Sequence, residues 1–226
     1  MSTLSYICHE TQENPKFTVI CLHGLGSSGH NLAALTPLLN LDHLSFRFIF
    51  PNAPLRPVTL NGGYDMSAWY DIYTLETHAQ EDQSGILEAE QQVISLITEQ
   101  NAIGIPSQHI FLLGFSQGGA LALFTGLRYH QRLGGIVGLS TYLPIPEVLS
   151  TSCHSANQEV PIFLAHGNQD AIIQFATALE VREWLLKANY PITWSAYEME
   201  HSICPEEIAE LAHWFQTQSQ KISLPD

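Results

Sequence analysis

The stretch HIFLLGFSQGGALALF, residues 109–124, reads as an apolar strand, a tight turn and a helix. Its turn holds Gly114-Phe115-Ser116-Gln117-Gly118, a G-x-S-x-G pentapeptide. The spacing has a steric cause. A turn this sharp strains the backbone at the serine, and side chains two residues to either side would collide with the strand or the helix. Glycine at both flanks removes the collision and leaves the Ser116 hydroxyl above the C-terminal edge of a sheet. The pentapeptide alone arises by chance in many chains. Its place between a β run and a helical run separates it from an ordinary glycine-rich turn.

The same alternation extends in both directions. Short apolar runs recur at FTVICL (17–22), FRFIF (46–50), GGIVGLS (134–140), VPIFLAH (160–166) and ITWSAY (192–197). Nearly continuous apolar runs suit central strands of a parallel sheet covered on both faces. Between them lie helical patterns at 84–100, 117–130, 175–188 and 205–218, the last with Pro205 placed for a first helical position. Strand alternating with helix predicts an α/β fold with a mostly parallel central sheet and helices on both faces. With 226 residues, one domain over 1–226 without a large separate cap is expected. The segment 51–83 breaks the alternation. It is rich in Pro, Gly, Asn and aromatics, and reads as a substrate-side loop region or as a packed surface excursion.

Composition narrows the function classes. Apolar residues make up 45% and charged residues 13%, which excludes disorder driven by low hydrophobicity and high charge. Lys and Arg number 8 against 22 Asp and Glu, a net charge of −14. Such a balance argues against nucleic acid and against stable docking on anionic bilayers. No run is long enough to span a bilayer and the N-terminus has no secretory pattern, so a cytoplasmic protein without membrane insertion is expected. Cys8, Cys21, Cys153 and Cys204 are scattered without a metal or redox spacing.

A serine needs a base within hydrogen-bond reach, itself oriented by a third group. In chains with this kind of turn the partners follow in the order Ser, acid, His. After Ser116 the only aspartates are Asp170 and Asp226, and Asp170 follows an apolar run in the loop HGNQD. After Asp170 only His201 and His213 remain, and His213 falls in mid-helix. The expected triad is Ser116, Asp170 and His201. Glu198 and Glu200 are alternative acids, their closeness to His201 favouring a surface role. His166 precedes the acid and reads as a loop-stabilising residue. Acyl transfer also needs donors for the developing oxyanion. The backbone N–H of Gln117 is one, and His23-Gly24-Leu25-Gly26 supplies the other through the N–H of Leu25, with His23 ordering the loop.

Competing readings have specific weaknesses. Gly24, Gly26 and Gly29 match the dinucleotide-binding G-x-G-x-x-G, which would make the protein a nicotinamide or flavin oxidoreductase. That motif wants a carboxylate at the end of the next strand, where this chain has Pro51-Asn52-Ala53-Pro54. Metal hydrolysis lacks any recognisable ligand spacing among the 11 histidines. A non-catalytic binding module would be expected to have lost a triad residue, and none is missing.

With HGLG, PNAP…RPVT, AWYD, GFSQGG, HGNQD and a late histidine, the chain resembles the carboxylesterase/acyl-protein thioesterase family of small α/β-hydrolases over about residues 15–217. The resemblance implies the α/β-hydrolase fold and a serine hydrolase without metal or organic cofactor. Its substrates would be small-molecule or lipid-like carboxylic esters, lysophospholipids or S-acyl thioesters. The resemblance carries the elbow onto Ser116 and Gln117, the acid onto Asp170, the base onto His201 and the oxyanion loop onto Leu25. Trp69 of AWYD would bind substrate by lining the acyl pocket, or support that pocket. Some relatives pair, so a homodimer stays open. The family commonly has Asp after HGLG, where this chain has Ser27.

Overall fold

The computed structural model describes residues 4–75 and 79–223. Its strands are β1 (Tyr6–Glu10), β2 (Phe17–Leu22), β3 (Phe46–Pro51), β4 (Leu55–Val58), β5 (Tyr64–Ser67), β6 (Ile110–Phe115), β7 (Gly135–Leu139), β8 (Ile162–Gly167) and β9 (Ile192–Tyr197). The helices are α1 (Gly29–Ala33), α2 (Thr36–Leu39), α3 (Gln83–Ala102), α4 (Gln117–Arg128), α5 (Pro146–Ser152), α6 (Phe175–Lys187) and α7 (Pro205–Ser223).

Side chains alternate across a strand, so each apolar run feeds two cores at once. Ile20 and Leu22 of β2, Leu112 of β6 and Leu164 of β8 point to one side, where they meet Val93 of α3, Leu121 and Phe124 of α4, and Leu185 of α6. Val19, Phe111, Leu113 and Phe163 point to the other side and meet Leu32, Leu39, Leu211, Trp214 and Phe215 of α1, α2 and α7. A run that is polar on neither side can be stable only between two such layers. Helix α4 is buried from Gln117 through Leu127, on all its faces. That explains why GGALALF carries so little amphipathic pattern.

Seven strands form one sheet in the order β1-β3-β2-β6-β7-β8-β9. All neighbours are parallel except β1, which runs antiparallel to β3 at the edge. The chain moves one way from β2 to β3, and then resumes on the opposite side of β2 with β6. Ligands of open α/β sheets gather at the carboxyl ends of strands flanking such a reversal. Here that crevice opens between Leu22 of β2 and Gly114 of β6, which are register partners.

The six runs read as strands all form strands, and the four helical patterns all form helices. Two features depart from expectation. β1 belongs to the sheet although YICHE has no apolar period, because an edge strand is half-solvated and its residues are mostly exposed. The segment 51–83 is not irregular throughout: β4 and β5 form an antiparallel hairpin, followed by a stretch without regular secondary structure over 68–75. The part of that expected loop at 76–78 lies outside the described residues.

Candidate active site

Ser116 sits between β6 and α4 at φ 54° and ψ −121°, a backbone region that side chains rarely adopt. The strain is held in place from several sides. The Ser116 N–H donates to Leu139 O at 2.9 Å, and its carbonyl accepts from the Thr141 hydroxyl at 2.7 Å. A Cβ on Gly114 would stand 2.0 Å from Gly118 O, and one on Gly118 would stand 2.1 Å from Leu22 O. Both flanking glycines are therefore obligatory on steric grounds. Ser116 occupies the cap position of α4, yet its hydroxyl makes no capping bond. It points at His201 instead, with Oγ 3.0 Å from Nε2.

His201 lies in the loop after β9, and its Nδ1 is 2.7 Å from Asp170 Oδ2. The Asp170 side chain is fully buried in the loop after β8, while His201 keeps 18% of its side chain exposed. Asp170 Oδ1 accepts from the N–H groups of Ile172 at 2.8 Å and Ile173 at 2.9 Å, so both carboxylate oxygens are engaged. With Nδ1–H donating to the carboxylate, the neutral ring presents Nε2 as an acceptor, and the Ser116 hydroxyl donates to it. The two loops are joined by backbone bonds from Asn168 N–H to Tyr197 O and from Gln169 N–H to Met199 O. The Phe115 ring packs against His201 with centroids 4.8 Å apart.

The loop after β2 approaches from the other side of the crevice. His23 is buried, and burial lowers its pKa, against the raising effect of the Gly24 carbonyl. Its Nε2 accepts from Ala53 N–H at 3.0 Å, which leaves Nδ1–H to donate to Gly24 O at 2.8 Å. Gly26 adopts φ 72° and donates its N–H to Ser67 O at 2.8 Å, anchoring the loop to the hairpin. Leu25 and Gln117 border the same cavity as Ser116 and His201. The Gln117 N–H opens α4, where leading N–H groups have no partner within the helix. Ser27 also borders the cavity, and its hydroxyl lies 3.5 Å from the Asn31 side-chain amide.

Trp69 does not line the cavity. It is 0% exposed. Its indole N–H donates to His23 O at 2.8 Å and its backbone N–H to Gln117 Oε1 at 3.0 Å. The structure places Trp69 between His23 and Gln117 rather than on the cavity surface. A large aromatic with a polar edge is suited to this, since burial demands a partner for that edge. The Gln117 side chain completes the link by donating from Nε2 to Tyr70 O at 2.8 Å. Sequence reasoning assigned Gln117 only a backbone role. Side-chain bridges between distant segments leave no signature in spacing.

The cavity holds about 650 Å³ and is lined mainly by apolar groups, among them Tyr142, Leu143, Ile172, Ile173, Val181 and Trp184. A neighbouring groove of about 740 Å³ carries Glu81, Asp82 and Glu147 and lies away from Ser116 and His201. Burial raises the Glu81 pKa, opposed by the Ile145 N–H that donates to its carboxylate at 2.6 Å.

The alternatives raised by the sequence fall elsewhere. Glu198 and Glu200 are exposed, as is His213 on α7. Gly29 serves packing: a Cβ there would lie 2.2 Å from Phe50 O, and its N–H donates to Asn52 Oδ1 rather than facing a phosphate. Among the described residues, no group of three or more His, Cys, Asp or Glu is arranged to hold a metal ion, and no helix is long and apolar enough to cross a membrane.

Residues 6–219 match the model of a family described as phospholipase/carboxylesterase. The chain is 41% identical over 207 residues to acyl-protein thioesterase 1 of Yarrowia lipolytica, covering 88% of this chain and 90% of that protein. Its structure resembles Arabidopsis thaliana SOBER1 with a TM-score of 0.86 and 29% identity, over 90% of this chain and 99% of that one. It also resembles Zea mays acyl-protein thioesterase 2, at a TM-score of 0.81 and 26% identity over 95% and 98% of the two chains.

Proposed function

The chain belongs to the phospholipase/carboxylesterase family and has the α/β-hydrolase fold, and from that membership we propose that it hydrolyses carboxylic esters or thioesters through Ser116, His201 and Asp170. The observation that carries the reading is the unbroken array from Ser116 Oγ to His201 Nε2 and from Nδ1 to Asp170 Oδ2, at 3.0 and 2.7 Å, at the edge of an apolar cavity.

His201 takes the Ser116 proton as Oγ attacks the acyl carbon, and Asp170 holds the ring tautomer and stabilises the imidazolium. The N–H groups of Leu25 and Gln117 receive the tetrahedral oxyanion, a contribution of about 10²–10³ in rate per donor. His201 then hands its proton to the departing alcohol or thiol. Water repeats the sequence on the acyl-enzyme, releasing the acid and restoring Ser116. Each step uses only groups of this chain, the substrate and water. Four free thiols favour a reducing, cytoplasmic setting.

The apolar cavity favours acyl chains longer than acetyl. Each methylene buried there adds about 0.8 kcal/mol, or roughly fourfold in kcat/KM until the cavity is filled. A series of p-nitrophenyl esters from acetyl to palmitoyl tests this, with Ser116→Ala as control. The expected result is a rise with chain length that disappears in Ser116→Ala. Full turnover by folded Ser116→Ala refutes the assignment, and a maximum at acetyl refutes the acyl role of the cavity.

A further inference from the structure

His166 is the last buried side chain of β8 before the acid loop, 1% exposed, and the catalytic cycle above does not use it. Its Nε2 lies 2.8 Å from Ile173 O and 3.3 Å from Asp170 Oδ2. A carbonyl and a carboxylate both accept, so that nitrogen must carry the hydrogen, shared between the two in a three-centre bond with Ile173 O as the stronger branch. Ile173 is held twice: its carbonyl accepts from His166, and its N–H donates to Asp170 Oδ1 at 2.9 Å. Ile173 is also part of the cavity wall.

We propose that His166 is a positioning residue whose Nε2–H locks the acid of the triad and the Ile173 wall of the acyl cavity into one rigid unit. The proposal rests on the catalytic reading of Ser116, His201 and Asp170. One donor serves two ends of the site: it fixes the carboxylate that orients His201, and it fixes the surface against which an acyl chain lies. Burial lowers the His166 pKa, and so does the neighbouring His201, against the raising effects of Ile173 O and Asp170. A neutral ring carrying its hydrogen on Nε2 is what this lock requires. Neutrality matters here, because a second imidazolium on Asp170 would compete for the charge that stabilises His201 during the reaction. Asp170 and His201 are the titratable groups acting on this ring.

Two substitutions in the full chain separate positioning from bulk. His166→Leu fills the space without a donor, whereas His166→Gln keeps an N–H. With p-nitrophenyl butyrate, His166→Leu is expected to lose about ten- to a hundredfold in kcat with KM within about threefold, and His166→Gln to recover most of it. With long-chain esters, His166→Leu should also raise KM, since the Ile173 wall is released. Equal impairment of the two variants, or kcat unchanged in both, overturns the proposal. If His166→Leu does not fold, ¹⁵N imidazole shifts of the unmodified protein decide the matter. His166 must remain the neutral Nε2–H tautomer from about pH 5 to about pH 8. An Nδ1–H tautomer, or a ring that titrates in that window, overturns the proposal. Turnover surviving in Ser116→Ala would instead remove the catalytic reading and leave the tautomer measurement standing.

Discussion

Gln117→Leu removes the side-chain amide that joins the turn at Ser116 to the 69–70 segment while keeping nearly the same volume. Gln117 is fully buried, accepting from Trp69 N–H and donating to Tyr70 O. Leucine strands both backbone groups away from water. Each stranded group costs about 1–3 kcal/mol, so the pair costs about 2–6 kcal/mol. At about 2–4 °C per kcal/mol for a chain of this size, the fall in Tm is on the order of 10 °C. Scanning calorimetry on parent and variant measures it. Gln117→Glu supplies an internal control, because a protonated carboxyl donates to Tyr70 O and accepts from Trp69 N–H as the amide does. The introduced carboxyl has a folded pKa raised by burial. Its stabilisation is thus complete below the unfolded value of about 4.3 and is lost as pH rises through the folded value. Gln117→Glu should approach the parent near pH 4 and fall behind it towards neutrality. A Gln117→Leu variant melting within about 2 °C of the parent would refute the reasoning.

Two further outcomes follow from single sites. Gly118→Ala drives a Cβ to 2.1 Å from Leu22 O, a backbone atom that cannot step aside, and should cost about 3 kcal/mol or more in urea unfolding; a loss under about 1 kcal/mol would contradict the packing of the turn. Glu207 is fully buried, and desolvation raises its pKa from 4.5 to about 8, reinforced by Glu210 and opposed by the Cys204 backbone. Its folded pKa is above the unfolded one, so its contribution is full below 4.5 and is lost as pH rises through about 8. Urea unfolding of the parent against Glu207→Gln should show the parent losing ground across that window, by at most about 1.4 kcal/mol per pH unit. A constant difference between the two would show that Glu207 is ionised at neutral pH.

The elements most legible in the sequence are those whose residues are buried on two sides. FTVICL forms a strand over the expected residues because a central parallel strand demands an apolar run, whereas ITWSAY, at the border with no residue buried, is legible from its β-branched and aromatic content. The edge strand at Tyr6–Glu10 faces solvent on one side and borrows its register from β3, so its own residues carry no pattern. That Ser116, Asp170 and His201 would meet was legible because topology fixes the order of their loops, and elimination among few Asp and His residues then suffices. Trp69 was not. Whether an indole faces a cavity or a carbonyl depends on where His23 O lies, which is set by a loop 46 residues earlier in the chain. The bridge made by Gln117 and the double hold on Ile173 belong to the same class of long-range, side-chain-to-backbone contact.

The acid and histidine loops are sewn to each other by two backbone hydrogen bonds, and both hang from the last two strands of the sheet. Ser116 and the Leu25 loop belong instead to the middle of the sheet, where every strand is buried. β9 ends the sheet with none of its six residues buried and two of them exposed, so this border is the least protected part of the parallel scaffold. Asp170 and His201 are therefore held as a single piece at one side of the sheet, apart from the strand that places Ser116. Local opening at that border would separate the pair from Ser116 before the buried middle of the sheet opens.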